Sequence, residues 1–280
     1  MDHIKVAELF YSIQGEGRFM GVPSVFLRTF GCNFTCGGFG MPKGELSKER
    51  NTIDADNIKH YKDLPLVSTG CDSYASWDPR FKHLSPVRSI DDIATSITDI
   101  LPRGRWMDEH LVITGGEPLL GWQRAYPELL SHEKMRSLQE LTFETNGTQL
   151  ISKEFGEFLL GWRINRSKDA ITFSVSPKLS ISGESWDDAI KKEVIANYKT
   201  YGFVYLKFVV ATKEDVQDAE RAVEEYRRYG FTGPVYLMPC GGVESVYSLN
   251  ARNVAIEAMN RGWRYSDRLQ VPLFKNEWGT

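Results

Sequence analysis

The nine residues HLVITGGEP, from His110 to Pro118, join a run of apolar residues to a glycine-rich turn. A continuous apolar run of this kind is typical of a strand buried on both faces of a parallel sheet. The turn places backbone N–H groups and the carboxylate of Glu117 at the carboxyl end of the strand. A plain strand-to-helix turn has the same composition, so the stretch predicts a parallel sheet without yet fixing a function.

Further runs of β-branched and aromatic residues alternate with helix-period segments along the chain. Residues 89–101 begin with Ser89 as a candidate N-cap, and residues 213–230 place their apolar residues on one stripe before Gly230. This alternation predicts an α/β fold with a parallel sheet or a partial (β/α) barrel, in which chemistry lies at the carboxyl ends of the strands. The other predicted strands are residues 24–30, 140–145, 170–176, 203–210 and 233–239.

Composition narrows the class of protein. The chain has 280 residues, a net charge of −3 and 41% hydrophobic residues, which fits a globular protein with a sizeable core and gives no electrostatic case for tight non-specific binding to nucleic acid or membranes. We expect a cytoplasmic protein, because no apolar run is long enough to span a bilayer and the N-terminus lacks the features of a signal peptide. In that compartment the four cysteines are expected to be free thiols or metal ligands.

Two of the cysteines lie in the stretch GCNFTCGGFG, residues 31–40, directly after a predicted strand. Cys32 and Cys36 are four positions apart, but the place of a third ligand, three residues on, is taken by Phe39. Residues 37–70 are polar, charged and without sustained period, and so long a loop within a compact domain is usually functional or an insertion. Gly70-Cys71-Asp72-Ser73 follow it.

Taken in order, these motifs resemble the 7-carboxy-7-deazaguanine synthases, a family of the radical S-adenosylmethionine (SAM) superfamily. That family has a Gln-Gly-Glu-Gly motif, a strand ending in Arg, and Cys-x3-Cys-x2-Cys followed by Asp-Thr. This chain has residues 14–17 (QGEG), Arg28, Cys32 and Cys36. The resemblance implies that the third cysteine is displaced to Cys71. It also implies a partial (β/α) barrel of the radical SAM type, one domain over residues 1–280, with an insertion at 37–70 in the cluster-binding loop.

Three cysteines suit the cofactor that this resemblance implies. A [4Fe–4S] cluster held by three thiolates leaves one iron open. In the superfamily that iron binds the amino and carboxylate groups of SAM, which is cleaved to a 5′-deoxyadenosyl radical. A structural zinc site with Cys240 as a fourth ligand is the alternative that the spacing alone does not exclude. With a cluster, Cys240 is expected to be a small buried hydrophobe.

The resemblance also implies a SAM site. The Gly-Gly-Glu motif would receive the aminoacyl part of SAM, and Ser176-Pro177-Lys178 would line its ribose and carboxylate, although a lone Ser-Pro-Lys is usually a surface turn. Lys207, an ionisable residue in an apolar strand, is expected either to reach outward or to face this site. The implied SAM-binding residues are Gly70, Asp72, Gly116, Glu117, Thr145, Asn146, Ser176, Pro177, Lys178, Met238, Pro239, Cys240 and Gly241.

On the substrate side, the resemblance implies that Arg28 binds a carboxylate, for which a planar guanidinium is suited. Ser73, where the family has Thr, is implied as a ligand of Mg²⁺. The family places a substrate-contacting histidine near its C-terminus, but this chain has Arg268, Leu269 and Gln270 there, and its tail VPLFKNEWGT extends beyond the common end. The implied substrate-binding residues are Ile13, Gln14, Gly15, Glu16, Arg28, Thr114, Gly115 and Gln270.

The resemblance implies a lyase that converts 6-carboxy-5,6,7,8-tetrahydropterin to 7-carboxy-7-deazaguanine with loss of ammonia, in queuosine or other deazapurine biosynthesis. It further implies a homodimer, an electron donor such as flavodoxin, and no direct contact with nucleic acid or membrane. Whether the product serves the modification of tRNA or of DNA stays open, because the reaction is the same. The alternatives are another radical SAM enzyme such as a glycyl-radical activase, and a non-catalytic zinc-binding module.

Overall fold

The chain forms an open sheet of nine strands with helices packed against it, and the structure, a computed structural model, describes residues 3–280. The strands are β1 (His3–Ile13), β2 (Pro23–Thr29), β3 (Val87–Ser89), β4 (His110–Gly115), β5 (Leu141–Thr145), β6 (Ile171–Val175), β7 (Phe203–Val210), β8 (Val235–Pro239) and β9 (Arg264–Tyr265). Their order is β3-β1-β2-β4-β5-β6-β7-β8-β9. β1 is antiparallel to β2 and β3, and every pair from β2 to β9 is parallel.

Eight α-helices connect or flank these strands. They are α1 (Ile90–Ile100), α2 (Tyr126–Ser131), α3 (Lys153–Trp162), α4 (Trp186–Ala189), α5 (Lys192–Tyr201), α6 (Lys213–Arg228), α7 (Glu244–Asn260) and α8 (Gln270–Phe274). Both predicted helices are confirmed. Ser89 caps α1 by accepting from the Asp92 backbone, and Thr212 and Asp215 form a capping box at α6. Of the helices in residues 3–280, none is long and apolar enough to cross a membrane.

The α/β architecture with an open, mostly parallel sheet is confirmed, and so are the six predicted strands. Sequence reasoning missed β1, β3 and β9. β1 is long, but it lies toward the edge of the sheet and its residues are mostly half-buried, so its apolar pattern is broken by Lys5 and Glu8. β3 and β9 have three and two residues, too few to show any period.

The parallel register of the strands determines which side chains form the centre of the core. Ile113, Phe143 and Phe173 occupy matching positions on β4, β5 and β6, so their side chains lie side by side beneath the helices. The rings of Phe143 and Phe173 are 5.6 Å apart, and Tyr198 on α5 stacks on Phe173 at 4.5 Å. Aromatic pairs of this kind contribute about 0.5–1.5 kcal/mol each beyond the area they bury. This core fixes the strands whose carboxyl ends carry the site.

The sheet does not close into a complete barrel, and the last part of the chain crosses its open side. The backbone N–H of Leu269 donates to the carbonyl of Gly15 at 3.0 Å, and the N–H of Gly17 donates to Ser266 Oγ at 2.9 Å. The residues after β9 therefore bind the loop that follows β1, although these two strands lie far apart in the sheet order. Hydrogen bonds from loops replace the missing strand pairing.

Residues 37–70, expected to be an irregular insertion, form short 3-10 turns (Glu49–Thr52, Ala55–Asn57, Tyr61–Asp63) around a second hydrophobic cluster. This insertion core is separate from the main core. Its fully or partly buried members are Ile53, Ala55, Ile58, Tyr61, Leu64, Val67, Tyr74, Ala75, Trp77, Phe81, Leu84 and Trp278. The insertion is thus ordered by its own apolar side chains, by those of the segment 74–84 that follows it, and by one tryptophan from the tail.

A single carboxylate fastens the end of the insertion. Glu49 accepts hydrogen bonds from the backbone N–H groups of Ser68 and Thr69 at 2.9 Å each, and from both of their hydroxyls. Burial opposes the charge, but these hydrogen bonds outweigh it and lower the pKa of Glu49. The carboxylate therefore stays ionised and holds the two residues that precede Gly70.

We expect the buried His110 to make the stability of the protein depend on pH. Its ring nitrogens lie 3.3 Å from Ser24 Oγ and 2.8 Å from Thr142 Oγ1, and burial, with Arg18 nearby, lowers its pKa from 6.5 to about 3. The unfolded chain binds a proton below about pH 6.5 and the folded chain does not. The free energy of unfolding should therefore fall as the pH drops from 6.5 to 5, by up to about 1.4 kcal/mol per pH unit from this residue.

Denaturant melts at several pH values measure that slope. His110→Gln should be less pH-dependent in this window, because one titrating group is gone. The variant His60→Gln, at an exposed position, serves as the control and should keep the wild-type slope. An unaltered slope in His110→Gln would show that this ring takes up its proton in the folded state.

Candidate active site

A cavity of about 270 Å³ lies at the carboxyl ends of the parallel strands. Nearly all of the predicted site residues line it, because most of them end or follow a strand, and the loop after β1, the segment after the insertion and the start of α8 reach the same cavity. Those that line it are Ile13, Gln14, Gly15, Glu16, Arg28, Cys32, Cys36, Gly70, Cys71, Asp72, Ser73, Thr114, Gly115, Gly116, Thr145, Asn146, Ser176, Lys178, Met238, Pro239, Cys240, Gly241 and Gln270. Glu117 and Pro177 are the two predicted residues that do not.

Three of the four cysteines lie together on one wall. Cys32, Cys36 and Cys71 share a cluster with Phe34 and Phe39, and after burial the nearby Cys71 contributes to raising the pKa of both Cys32 and Cys36. Cys240 lies elsewhere in the same cavity. Its thiol accepts a hydrogen bond from the backbone of Gly40, and Arg268 is the charged group that affects it most. The structure therefore groups Cys71, and not Cys240, with the two cysteines of the Cys-x3-Cys pair.

The insertion brings Cys71 back because its two ends are joined. The N–H of Gly70 donates to the carbonyl of Phe39 at 2.7 Å, so the residue after Gly70 returns to the level of the cluster loop. Phe39, in the place where the third ligand was expected, packs its ring beside the thiols. Trp77 Nε1 donates to Cys71 Sγ at 3.4 Å. The hydrogen bond between the ends of the insertion thus brings Cys71 to the place where a short Cys-x2-Cys spacing would put the third cysteine.

Glu184 positions the first part of the same loop and was not predicted. Its carboxylate accepts from the backbone N–H groups of Thr35 at 2.8 Å and of Cys36 at 2.7 Å. Cys36 has a φ of +49°, which is uncommon for a residue other than glycine. The hydrogen bonds to Glu184 hold it there. No local pattern pointed to Glu184, because it lies 148 positions from Cys36 in a polar loop.

The thiols are neutral unless a positive group joins them. Burial raises the pKa of Cys32 to about 12 and raises the pKa of Cys36 and Cys71, while the Lys178 ammonium partly opposes the shift. Sulfur donors in such an apolar surrounding become thiolates when a metal binds. No three His, Cys, Asp or Glu side chains within residues 3–280 converge as ligands of one ion. Three thiols on one wall of the cavity are the number of protein ligands that a [4Fe–4S] cluster with one open iron takes, each sulfur binding a different iron.

A buried set of charges forms the opposite wall. Glu16 is ion-paired with Lys207 and with Arg268 Nε at 3.2 Å, and accepts from Gln270 Nε2 at 2.9 Å. Burial alone would raise the pKa of Glu16, but Lys207 and then Arg268 outweigh it and lower the pKa, so the carboxylate is ionised. The open question about Lys207 is answered: its side chain faces the cavity and is 5% exposed.

Arg268 joins three segments that no strand pairing connects. Besides Glu16, its guanidinium binds the carboxylate of Asp72 at 2.6 Å and the carbonyl of Gly241. These residues belong to the loop after β1, the end of the insertion and the segment after β8. Sequence reasoning noted Arg268 only as a departure from the family's histidine region. Its pairing was not foreseeable, because Glu16 is 252 positions away.

Arg28 reaches the cavity at the end of β2. Its Nε donates to Glu8 Oε2 at 2.8 Å and its Nη1 to Ser73 Oγ at 3.1 Å. The Ser73 hydroxyl in turn lies 3.4 Å from Asp72 Oδ1. Glu8, a residue that was not predicted, thus orients Arg28, and an acidic residue within an apolar strand was the only signal for it.

Glycines in the motifs allow close contact. A Cβ on Gly15 would lie 1.8 Å from Gln270 Oε1, and a Cβ on Gly116 would lie 2.3 Å from the carbonyl oxygen of Gly31. Any side chain at Gly15 would displace the Gln270 amide, and any side chain at Gly116 would push away the loop that carries Cys32. The two glycines therefore set the width of the cavity.

Glu117 requires a correction, because the structure turns its carboxylate away from the cavity. Oε1 accepts from the Leu119 N–H at 3.0 Å and from Thr145 Oγ1 at 2.8 Å, and Oε2 accepts from the Asn146 N–H at 2.7 Å. The side chain is fully buried, and burial raises its pKa to about 7. Glu117 therefore supports the turn that presents Thr145 and Asn146. Pro177 is likewise buried behind its neighbours.

The structure thus combines an open, mostly parallel α/β sheet with three thiols in one cavity at the carboxyl ends of its strands. No family model matches the chain. The chain is 29% identical to the 7-carboxy-7-deazaguanine synthase of Halobacterium salinarum, over 98% of this chain and 91% of that one. It is 28% identical to the enzyme of the same name from Pyrobaculum aerophilum, over 99% and 97%. The chain is therefore similar, over nearly its whole length, to proteins named 7-carboxy-7-deazaguanine synthase.

The fold has a solved counterpart. The crystal structure of QueE from Escherichia coli superposes with a TM-score of 0.54 and 20% identity, covering 94% of this chain and 93% of that one. At this identity the likeness concerns the fold alone. It confirms the partial barrel of the radical SAM type that the sequence predicts.

We expect Lys207→Met to destabilise the protein by about 3 kcal/mol, because removing one partner of a buried ion pair leaves the other incompletely compensated. Chemical denaturation measures the loss. The double variant Glu16→Gln/Lys207→Met should lose less than the sum of the two single variants. Arg228→Met, which breaks the exposed pair of Arg228 and Glu224, is the control and should cost less than about 1 kcal/mol. Additive losses at Glu16 and Lys207 would contradict the pairing.

Proposed function

We propose that the protein is a radical SAM lyase that converts 6-carboxy-5,6,7,8-tetrahydropterin to 7-carboxy-7-deazaguanine with loss of ammonia. The observation that carries this proposal is the grouping of Cys71 with Cys32 and Cys36, across one cavity from the charged wall of Glu16 and Arg28. The similarity to 7-carboxy-7-deazaguanine synthases over nearly the whole chain supports the choice of reaction.

The three thiols would hold a [4Fe–4S] cluster with one iron open. With SAM bound, such a cluster supplies the electron that cleaves the sulfonium and yields a 5′-deoxyadenosyl radical. The protein's own part is to shield and orient. Phe34 and Phe39 pack against the thiols and exclude water, and the Lys178 ammonium faces the same group and offsets negative charge.

The SAM side of the cavity offers ligands for a zwitterion and a ribose. Lys178 Nζ donates to Ser176 Oγ at 3.4 Å, and this partner is an uncharged hydroxyl. The ammonium group therefore suits the carboxylate of SAM. Asn146 and Thr145 are presented at the end of β5 by Glu117. We propose that Glu117 acts on SAM through this turn rather than by direct contact.

The substrate side offers a cation for a carboxylate and polar groups for a ring. Arg28 donates its Nε to Glu8 and its Nη1 to Ser73, and its planar guanidinium lines the cavity. Gln270 Oε1 is buried without a hydrogen-bond partner, and such an acceptor is suited to an N–H group of a ligand. A carboxylated pterin carries both kinds of group.

Three finer assignments belong to the same proposal. Ser73 and Asp72, whose oxygens lie 3.4 Å apart at the cavity, would contribute to a Mg²⁺ site. An external donor such as flavodoxin would supply the electron, and the protein would act as a cytoplasmic homodimer. The family resemblance alone supports the donor, the dimer and the location.

Anaerobic turnover tests the reaction and the distant ligand together. Reconstituted wild type is supplied with SAM, Mg²⁺, a reductant and the carboxypterin, beside Cys71→Ala and the control Cys240→Ala. We expect product from wild type and Cys240→Ala. Cys71→Ala should lose SAM cleavage by at least about a thousandfold, because a cluster with two thiolates is not retained. Bound iron and sulfide and the visible absorption of the cluster are measured on the same samples.

The outcomes separate the two parts of the proposal. Full activity in Cys71→Ala would remove this residue from the cluster. Cleavage of SAM without change in the pterin would keep the cluster and reject the substrate. About one zinc per chain with no iron, after anaerobic purification, would favour a zinc-binding module.

For the metal, we expect Ser73→Ala to need roughly tenfold more Mg²⁺ for half-maximal product formation, because one oxygen ligand is lost. Ser73→Thr keeps that oxygen and should behave like wild type. Titration of Mg²⁺ at saturating SAM and substrate gives the comparison. An identical titration for all three proteins would remove Ser73 from the metal site.

A further inference from the structure

Residues 275–280, which we call the C-terminal strap, form part of the cavity wall. Asn276, Glu277, Trp278, Gly279 and Thr280 all line it, together with Glu8 and Arg28 of the substrate side. The strap follows α8 and crosses the open side of the sheet, where no strand closes the barrel. A cavity wall made of five residues with no regular secondary structure needs an anchor.

Tyr61 of the insertion and Tyr74, four residues after its end, supply that anchor. The indole of Trp278 packs edge-on against Tyr61, with ring centroids 5.6 Å apart, and against Tyr74, at 5.5 Å and an interplanar angle of 89°. Edge-to-face contacts of this kind are the favourable arrangement of aromatic rings. Trp278 is the one member of the insertion core that comes from the tail. The two segments are joined by this side chain.

Two hydrogen bonds attach the strap to the two sides of the opening. Asn276 Nδ2 donates to the carbonyl of Gly242, just after β8, at 2.8 Å. The backbone of Gly279 donates to the carboxylate of Glu8 on β1. Because Glu8 also holds Arg28 at 2.8 Å, the strap reaches the residue that orients the cavity's guanidinium.

The backbone at the start of the strap is held in an uncommon conformation. Lys275 and Asn276 have φ values of +56° and +58°, and Cys36 is the one other non-glycine residue with positive φ in the described chain. Two such residues in succession are strained, and they persist because their surroundings fix them. Loss of the anchor would let this turn relax and carry the strap away from the cavity.

We propose that Trp278 is a positioning residue, which docks in the aromatic recess of the insertion and so holds the strap as the wall between the substrate end of the cavity and solvent. Anchoring the strap is then the function of the insertion in this chain. The docking stands on the contacts above, and its effect on substrate rests on the proposed function.

Hydrogen exchange of the substrate-free protein tests the docking without any activity. In Trp278→Ala we expect amide exchange to quicken roughly tenfold or more in peptides covering 275–280 and the Tyr61 region of the insertion, with peptides of β4 to β6 unchanged. Trp278→Phe keeps an aromatic ring and should restore most of the protection. Leu273→Ala, at an exposed position just before the strap, is the matched control and should change neither peptide. Protection in Trp278→Ala equal to wild type would overturn the docking.

Steady-state kinetics tests the consequence for substrate. In Trp278→Ala the KM for the carboxypterin should rise roughly tenfold while SAM cleavage in the absence of pterin stays at the wild-type rate, since the thiols and the SAM side are untouched. Trp278→Phe should recover most of the KM. A KM equal to wild type, alongside faster exchange of the strap, would contradict the proposal that the strap closes the substrate end of the cavity. If wild type itself leaves the pterin unchanged, the proposed function fails while the exchange result still decides the docking.

Discussion

The guanidinium of Arg268 is the interaction on which the shape of the cavity depends. It binds Glu16, Asp72 and the carbonyl of Gly241, and these belong to parts of the chain that the sheet leaves unconnected. A partial barrel gains ligand access by leaving out strands, but it also loses the ladder that would fix the two sides of the opening. A buried, charge-assisted set of hydrogen bonds replaces that ladder. It tolerates burial because every charge in it has a partner of opposite sign.

The site combines two walls of opposite character. One carries thiols among phenylalanine rings, and the other carries carboxylates paired with lysine and arginine. Burial raises the pKa of the thiols, whereas on the other wall ion pairing overcomes burial and keeps Glu16 ionised. A soft, low-dielectric pocket for a metal cluster and a polar pocket for a charged substrate can therefore share one small cavity.

Much of the fold could be predicted from the sequence, because a buried parallel strand is written as a short apolar run. His110–Gly115 and its five counterparts were recognisable for that reason, and the turns after them marked the edge of the sheet where the cavity lies. β1 was not recognisable, since a half-buried strand near the edge has no single pattern. The grouping of the thiols was foreseen from motif order, and the structure places Cys71 accordingly.

What the sequence could not show were pairings between distant positions. Lys207 lies 191 positions from Glu16, and the direction of its side chain depends on which face of β7 meets the cavity. The motif assigned Glu117 to a ligand, but its carboxylate is taken by the backbone of the next strand end. Local patterns report the residue types at a strand end. They do not report which of those residues faces inward.

The hydrogen bond between Gly70 and Phe39 has a consequence for how such chains are compared. Once the two ends of a loop are joined, lengthening the loop costs little chain entropy, about 0.6 kcal/mol for each doubling. Changing the number of residues between Cys36 and Cys71 therefore costs little free energy, provided that the inserted residues form an apolar cluster of their own. A sequence motif with a fixed spacing between its cysteines, by contrast, requires that number to be constant. For this chain, the grouping of Cys71 with Cys32 and Cys36 in space is the feature that such a spacing does not report.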